Sequence, residues 1–237
     1  MARGKRRSLS KKIIAGAAKW LLLLLAGMVV LTVLEVLALR YFDPPLTVRM
    51  AWHQVQDALR SKPHRRPACR WRPLEQISPH LRRAVVAAED QRFLAHHGFD
   101  FIEIQQAAAD LFYANRLRGA STISMQTART VYLLPSRTLG RKVAEAYYTI
   151  LIELLWSKRR ILEIYLNTVD WGPDTMGAEA ASLRYFKKEA GRLTPREAAL
   201  LAAVLPNPHR WSPVKPGRHV LGRHRRILAD MAHVPTL

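Results

Sequence analysis

Apolar and polar positions follow different rules in different parts of this chain. From Trp20 to Leu39 the residues are apolar almost without break, with Glu35 the only charge, and a helix of that length crosses about 30 Å of hydrocarbon. Beyond Ser78 the apolar residues recur at helical spacing. They do so in Ala84 to Ala88, in a long amphipathic stretch ending at Trp156, at Ile161, Leu162, Ile164, Tyr165 and Leu166, and in Leu193 to Pro208. No alternating run of β-branched residues reaches four, so the pattern predicts an all-α domain behind a single membrane helix. Helix starts agree: Ser78-Pro79 reads as N-cap and first turn, and Asp100 with Glu103 and Thr194 with Glu197 read as capping boxes. Pro213 onward, with Lys215, Arg218, Arg223, Arg225 and Arg226, predicts a last basic helix.

Between the two regimes, Asp43-Pro44-Pro45 ends the membrane helix. An Arg/Pro/Trp-rich stretch follows, through Pro63, His64-Arg65-Arg66-Pro67 and Arg70-Trp71-Arg72-Pro73, and predicts a connecting segment that could lie on the bilayer surface. The expected organisation is therefore a basic leader at 1–19, a transmembrane anchor at 20–39, a membrane-proximal connection at 40–76 and one domain at 77–237. Arg3, Lys5, Arg6, Arg7, Lys11 and Lys12 precede the apolar run, which keeps the N-terminus cytoplasmic and exports the rest. The run exceeds a signal-peptide core and no Ala-x-Ala site follows it, which favours an uncleaved anchor.

Charge sharpens this reading. The balance is +20, and removing the eight Lys/Arg and one Glu of residues 1–40 leaves +13 on the exported part. So basic a domain seeks polyanions; outside the cytoplasm these are lipid headgroups and lipid pyrophosphates rather than nucleic acid. Cys69 is the only cysteine, which removes internal disulfides and cysteine metal clusters. No HExxH pair occurs, and the neighbours His96 and His97 cannot face one metal from one helix side.

Three strings carry candidate chemistry. In EDQRFLAHHGFD, Glu89 to Asp100, the apolar run stops and adjacent carboxylates take its place; the structural alternative is a solvated last turn with Gly98 as the stop. GASTISMQ, Gly119 to Gln126, followed by Arg129, offers hydroxyls and backbone N–H groups at a helix start, or simply an N-cap at Ser121. RKVAE, Arg141 to Glu145, puts two cations and a carboxylate on one helical turn, an arrangement equally suited to surface ion pairs.

In this order, and followed by SKRRILEIYLN, GAEAASLRYF and LTPREAALLAAVLPNP, these strings resemble the peptidoglycan glycosyltransferases, which polymerise lipid II into glycan strands. The resemblance spans roughly Ile77 to Pro213. It implies a lysozyme-like, two-lobed helical domain at the bacterial inner membrane, with the catalytic part periplasmic. The length suits the monofunctional form. No KTG occurs, and the lone Ser-x-x-Lys, Ser8 to Lys11, lies in the leader, so there is no transpeptidase signature.

The resemblance also implies roles. Glu89 matches the general base and Asp90 the acidic neighbour that orients it. Ser121 and Gln126 match residues along the donor's sugar-phosphate path, while Arg129, Arg137, Arg141 and Lys142 match cations around the pyrophosphate. Glu145 matches a second carboxylate that assists departure or holds a divalent cation, Mg or Mn. Expected partners are lipid II, the growing strand on undecaprenyl pyrophosphate, membrane lipids, and other wall-synthesis or division proteins. Met125 and Arg129 depart from the usual Gln and Lys, and Pro173-Asp174 interrupts a glycine-rich loop, which puts that loop's flexibility in question. Two other classes compete: a muramidase or lytic transglycosylase, which has no use for the cations, and a membrane-tethered basic scaffold with inert carboxylates.

Overall fold

The computed structural model describes residues 2–59, 70–114, 119–136 and 138–235. Among them the fold is mainly α, 68% helix and 2% strand, as the periodicity predicts. The chain divides into two compact units, Met1–Phe42 and Asp43–Leu237. The first is one helix, α1 (Ala2–Tyr41), in which Ala15–Tyr41 is long and apolar enough to cross a membrane.

The second unit opens with α2 (Val48–Leu59), a helix inside the span expected to be a mere connection. The Thr47 hydroxyl starts it by accepting from Met50 N at 3.2 Å. Of the stretch expected on the bilayer surface, Pro63 to Pro67 lies outside the described residues, whereas Arg70 to Pro73 is bound into the domain. Arg72 donates its N–H to Asn167 Oδ1 at 2.9 Å, and its guanidinium pairs with buried Glu179 at 2.8 Å. Trp71 lies under the Arg160 guanidinium. The physical reason is Glu179: a carboxylate at 1% exposure requires a cation, and Arg72 is the one that reaches it.

After a 3₁₀ turn at Leu74–Gln76 come α3 (Pro79–Glu89), α4 (Phe101–Ala114), α5 (Ile123–Tyr132), α6 (Leu139–Leu155) and α7 (Lys158–Thr168). A hairpin, β1 (Asp170–Gly172) with β2 (Thr175–Met176), leads to α8 (Ala178–Phe186), α9 (Pro195–Val204) and α10 (Arg218–Asp230). Pro173 and Asp174 make the hairpin's turn, Asp174 in the left-handed region at φ 52°. The expected caps form: Ser78 accepts from His80 N, Thr194 and Glu197 make a full capping box, and Asp100 Oδ1 accepts from Ile102 N and Glu103 N.

Packing sorts these helices into two groups. Helices α3, α9 and α10 form one, with Leu81, Ala84, Val85, Leu201 and Ile227 buried; the alanines of α9 (Ala198, Ala199, Ala202, Ala203) let its neighbours approach closely. In the other, α5 packs on α2, α6 and α7. Helix α7 is buried nearly all round, including Ile161, Leu162, Ile164, Tyr165 and Leu166, the residues whose spacing predicts a core. It also holds the 70–73 segment, since Asn167 Nδ2 donates to Arg72 O at 2.9 Å and to Glu163 O at 2.8 Å.

Asn167→Ala strips Arg72 of a backbone donor–acceptor pair. We expect it to lower the unfolding free energy by roughly 2–3 kcal/mol, the cost of partly buried groups left unpaired. Thermal unfolding of the detergent-solubilised chain followed by near-UV circular dichroism measures this; an unchanged midpoint would show that Asn167 is not a strut.

Candidate active site

Helix α3 stops at Glu89 rather than running on to Gly98 in a solvated turn. Asp90 is the C-cap, its N–H bonded to Val86 O at 2.9 Å, and its φ of −164° turns the chain out of the helix. The stop occurs here because the Asp90 side chain is committed elsewhere. Its Oδ1 meets His96 Nε2 at 2.9 Å, and its Oδ2 accepts from Ile123 N, the first residue of α5, at 2.9 Å. His96 Nδ1 accepts from Gly98 N at 3.2 Å, so the ring proton sits on Nε2 and points at Asp90. Gly98 itself has φ +92°, and a Cβ there would come within 2.8 Å of Thr149 Cγ2 on α6.

This buried cluster is a clamp, not a metal centre. One ligand-type atom from each of Asp90, His96 and Asp100 can be chosen within 4.8 Å of the others. Both His96 nitrogens are nevertheless engaged, which leaves no imidazole lone pair for a cation. Asp100 Oδ2 faces Arg92 Nε at 3.3 Å.

The clamp sets the end of α3 beside the start of α5, and there a cleft of about 710 Å³ opens, bounded on its far side by α10. Glu89, Asp90, Ser121, Gln126 and Arg129 all line it, together with Arg223. Glu89 Oε2 accepts from Gln126 Nε2 at 3.0 Å, and Oε1 lies 3.8 Å from the Arg223 guanidinium. Burial raises the Glu89 pKa above the usual carboxylate value, and the Gln126 hydrogen bond and the Arg223 charge restrain the rise. Ser121 is a cleft-wall residue and not the N-cap of α5. Thr122 takes that role, accepting from Met125 N at 3.2 Å and donating to Gly98 O at 2.6 Å.

A second constellation surrounds Glu145 on α6, which is completely buried. Arg141 pairs with its Oε2, Lys142 with its Oε1 at 3.1 Å, and Arg129 reaches to 3.8 Å. One carboxylate among three cations leaves a net positive cage. A smaller cavity of about 260 Å³ adjoins it, lined by Arg49, Arg129, Leu133, Pro135, Ser136 and Arg141. Three arginines, Arg49, Arg129 and Arg141, line it, so the cavity is cationic and suits an anion. A divalent cation does not fit this donor set: both Glu145 oxygens are already taken by cations, which would repel it. Arg129 lines both cavities and joins the acidic cleft to the cationic cage. Arg137 lies outside the described residues.

Two cations at these sites go unremarked in the sequence motifs. Arg49 belongs to α2, read as connector. Arg223 belongs to the basic tail, yet a signal existed: Val220, Arg223, His224 and Ile227 share one helical face, and burial of Val220 and Ile227 turns Arg223 inward. Lys158 and Asn167 are structural, as their setting in an apolar block suggests; Lys158 pairs with Glu153 at 2.8 Å and sits over the Phe93 ring.

A half-buried carboxylate with a raised pKa facing a cleft, next to a cationic cage suited to an anion, fits an enzyme of group transfer with an anionic leaving group. Residues 56–232 match the family model described as Transglycosylase. The chain is 48% identical over 212 residues, 89% of its length and 88% of the relative's, to the "Biosynthetic peptidoglycan transglycosylase" of Rhodospirillum centenum. It is 42% identical to the protein of the same description from Caulobacter vibrioides, over 96% of this chain and 93% of that one. The corresponding Shewanella oneidensis protein is 44% identical, with 90% of each chain covered. The chain therefore belongs to the peptidoglycan transglycosylase family, glycosyltransferases of cell-wall synthesis.

The raised Glu89 pKa carries a stability consequence with a definite sign. A carboxyl whose folded pKa exceeds its unfolded one stabilises the fold below the unfolded pKa and loses that contribution as pH rises through the folded value. Glu89→Gln, which mimics the protonated form, should raise the melting temperature at pH 7 and leave it nearly unchanged at pH 4. A melting temperature lowered at pH 7 would mean that the ion pairs of Glu89 outweigh its burial.

Proposed function

We propose that this chain elongates glycan strands by inverting transfer, with Glu89 as general base and the cage around Glu145 as the leaving-group site. The acceptor, lipid II, presents a sugar 4-hydroxyl in the cleft. Glu89 takes the hydroxyl proton, the oxygen bonds to the donor's anomeric carbon, and the bond from that carbon to the pyrophosphate oxygen breaks, the electron pair leaving with the pyrophosphate. Arg129, Arg141 and Lys142, with Arg137, neutralise the departing charge. Ser121, in the wall of the cleft, would lie along the donor's sugar-phosphate path. Glu145 draws the cations together in a fixed fan and offsets the mutual repulsion that would splay them. The observation that carries the reading is Arg129, which touches both the base's cleft and the cage.

The same reading places the chain at the inner membrane as a single-pass protein with its N-terminus in the cytoplasm. The basic residues before α1 and the apolar span Ala15–Tyr41 support it. Helix α6 adds an observation. Leu139, Val143, Ile150 and Leu154 form an exposed apolar stripe opposite buried Glu145 and Thr149. Such a stripe suits contact with membrane lipid, and it would hold the cage at headgroup depth. A muramidase, whose substrate carries no pyrophosphate, has no use for the cage, and a scaffold has no use for a buried base.

Glu89→Gln should lower the rate of lipid II polymerisation by about 10²–10⁴, the loss of a general base. A purified, folded variant polymerising at near wild-type rate would remove Glu89 from this role. On the other side, Lys142→Ala should weaken inorganic pyrophosphate binding about tenfold or more, with a shallower salt dependence than wild type. Isothermal titration at two ionic strengths reads both effects, and identical curves would make the cage a plain ion-pair surface.

A further inference from the structure

Tyr165 sits in the middle of α7, where its spacing marks it as core, and only 2% of its surface is exposed. Its phenol is nevertheless not idle: the O–H donates to Gln126 Oε1 at 3.3 Å, and Gln126 Nε2 in turn donates to Glu89 Oε2 at 3.0 Å. A carboxamide has hydrogens at one end and lone pairs at the other. With the phenol donating to Oε1, the Nε2 end faces Glu89; the opposite orientation would turn the phenol into an acceptor of Nε2 and press Oε1 lone pairs against a carboxylate. We propose that Tyr165 is a positioning residue for the base, holding the Gln126 amide in the one orientation that hydrogen-bonds the ionised Glu89. The inference rests on the reading of Glu89 as general base.

The arrangement has a chemical logic. A half-buried base must remain ionised until the acceptor hydroxyl arrives, and the Gln126 N–H is a dipole that favours the ionised form. Gln126 alone could turn about its last side-chain torsion once Glu89 accepts the proton, and the site would then need to reset. The buried phenol biases it back. Burial pushes the Tyr165 hydroxyl well above its ordinary pKa, so it stays a donor at any working pH. The other groups facing Glu89 are Arg223 from α10, Arg129 from α5 and Asp90 next in the chain. Among the described residues no hydrogen bond or ion pair of these three involves the phenol oxygen, so the contact that its removal breaks is the one to Gln126.

The test is the pH profile of lipid II polymerisation by the full-length chain in detergent, for wild type and Tyr165→Phe. Loss of the orienting bond should move the acidic limb of kcat/KM upward by ~0.5 pH unit, with KM changed less than about twofold, because a neighbour of the hydrogen-bonded ion is lost rather than the ion's own partner. A purely structural Tyr165 predicts lower thermal stability with the limb unmoved, and that result overturns the proposal. Should Tyr165→Phe not fold, difluorotyrosine at 165 keeps the shape and makes the O–H a stronger donor. It should then move the limb downward, and an unmoved limb would be equally fatal. Glu89→Gln separates the two levels: if it stays active, the assignment of the base fails; if it is dead while the Tyr165 variants titrate as wild type, only the positioning role fails.

Discussion

The site depends on one carboxylate whose hydrogen bonds all go to the scaffold. Asp90 accepts the N–H of Ile123 with one oxygen and meets His96 with the other, and so fastens the end of α3 to the start of α5 and to the loop between them. Each contact is individually modest, on the order of 1–3 kcal/mol for a charge-assisted hydrogen bond. Their geometry matters more than their sum. Glu89 precedes Asp90 by one residue and Gln126 follows Ile123 by three, so the clamp sets the distance between base and amide. The hydrogen bonds of Asp90 go to His96 and Ile123, so if Glu89 is the base, as proposed, Asp90 would orient it through the backbone.

Two carboxylates in one enzyme are held by opposite electrostatic means. Glu145 is fully buried but surrounded by Arg141, Lys142 and Arg129, so its charge is more than matched. Glu89 has one amide and a guanidinium 3.8 Å away, and its ionisation is costly. The first arrangement suits a group that must never change its charge; the second suits one that must accept a proton and return it. Arg129 stands between them and keeps the two environments in electrical contact.

Much of this was readable along the chain, because the residues involved are local. Arg141, Lys142 and Glu145 share one helical turn, and their mutual contact follows from the period of the helix. The core of α7, the N-cap at Ser78 and the capping box at Thr194 follow for the same reason. What the sequence concealed depends on long-range packing. Helix α2 hides behind its Arg/Pro/Trp-rich neighbour, and Arg72 reads as surface until buried Glu179 is seen beside it. Thr122 rather than Ser121 caps α5 because Gly98, 24 residues away, accepts its hydroxyl. Tyr165 looks like any core aromatic, since spacing reveals a buried position but not what a phenol oxygen finds there.

The outward stripe of α6 bears on a cost that no active-site residue meets. A polyprenyl chain drawn out of a bilayer loses about 0.8 kcal/mol for every methylene brought into water, far more than a handful of ion pairs could offset. With the apolar residues from Leu139 to Leu154 against lipid, as proposed, Arg141 and Lys142 on the same helix would meet the phosphates where the headgroups already hold them. The donor's tail need never leave the hydrocarbon. On that reading, supply and clearance of substrate would become lateral diffusion in two dimensions, and the enzyme would work as a surface over which a glycan strand is drawn outward while its anchor stays dissolved in the membrane.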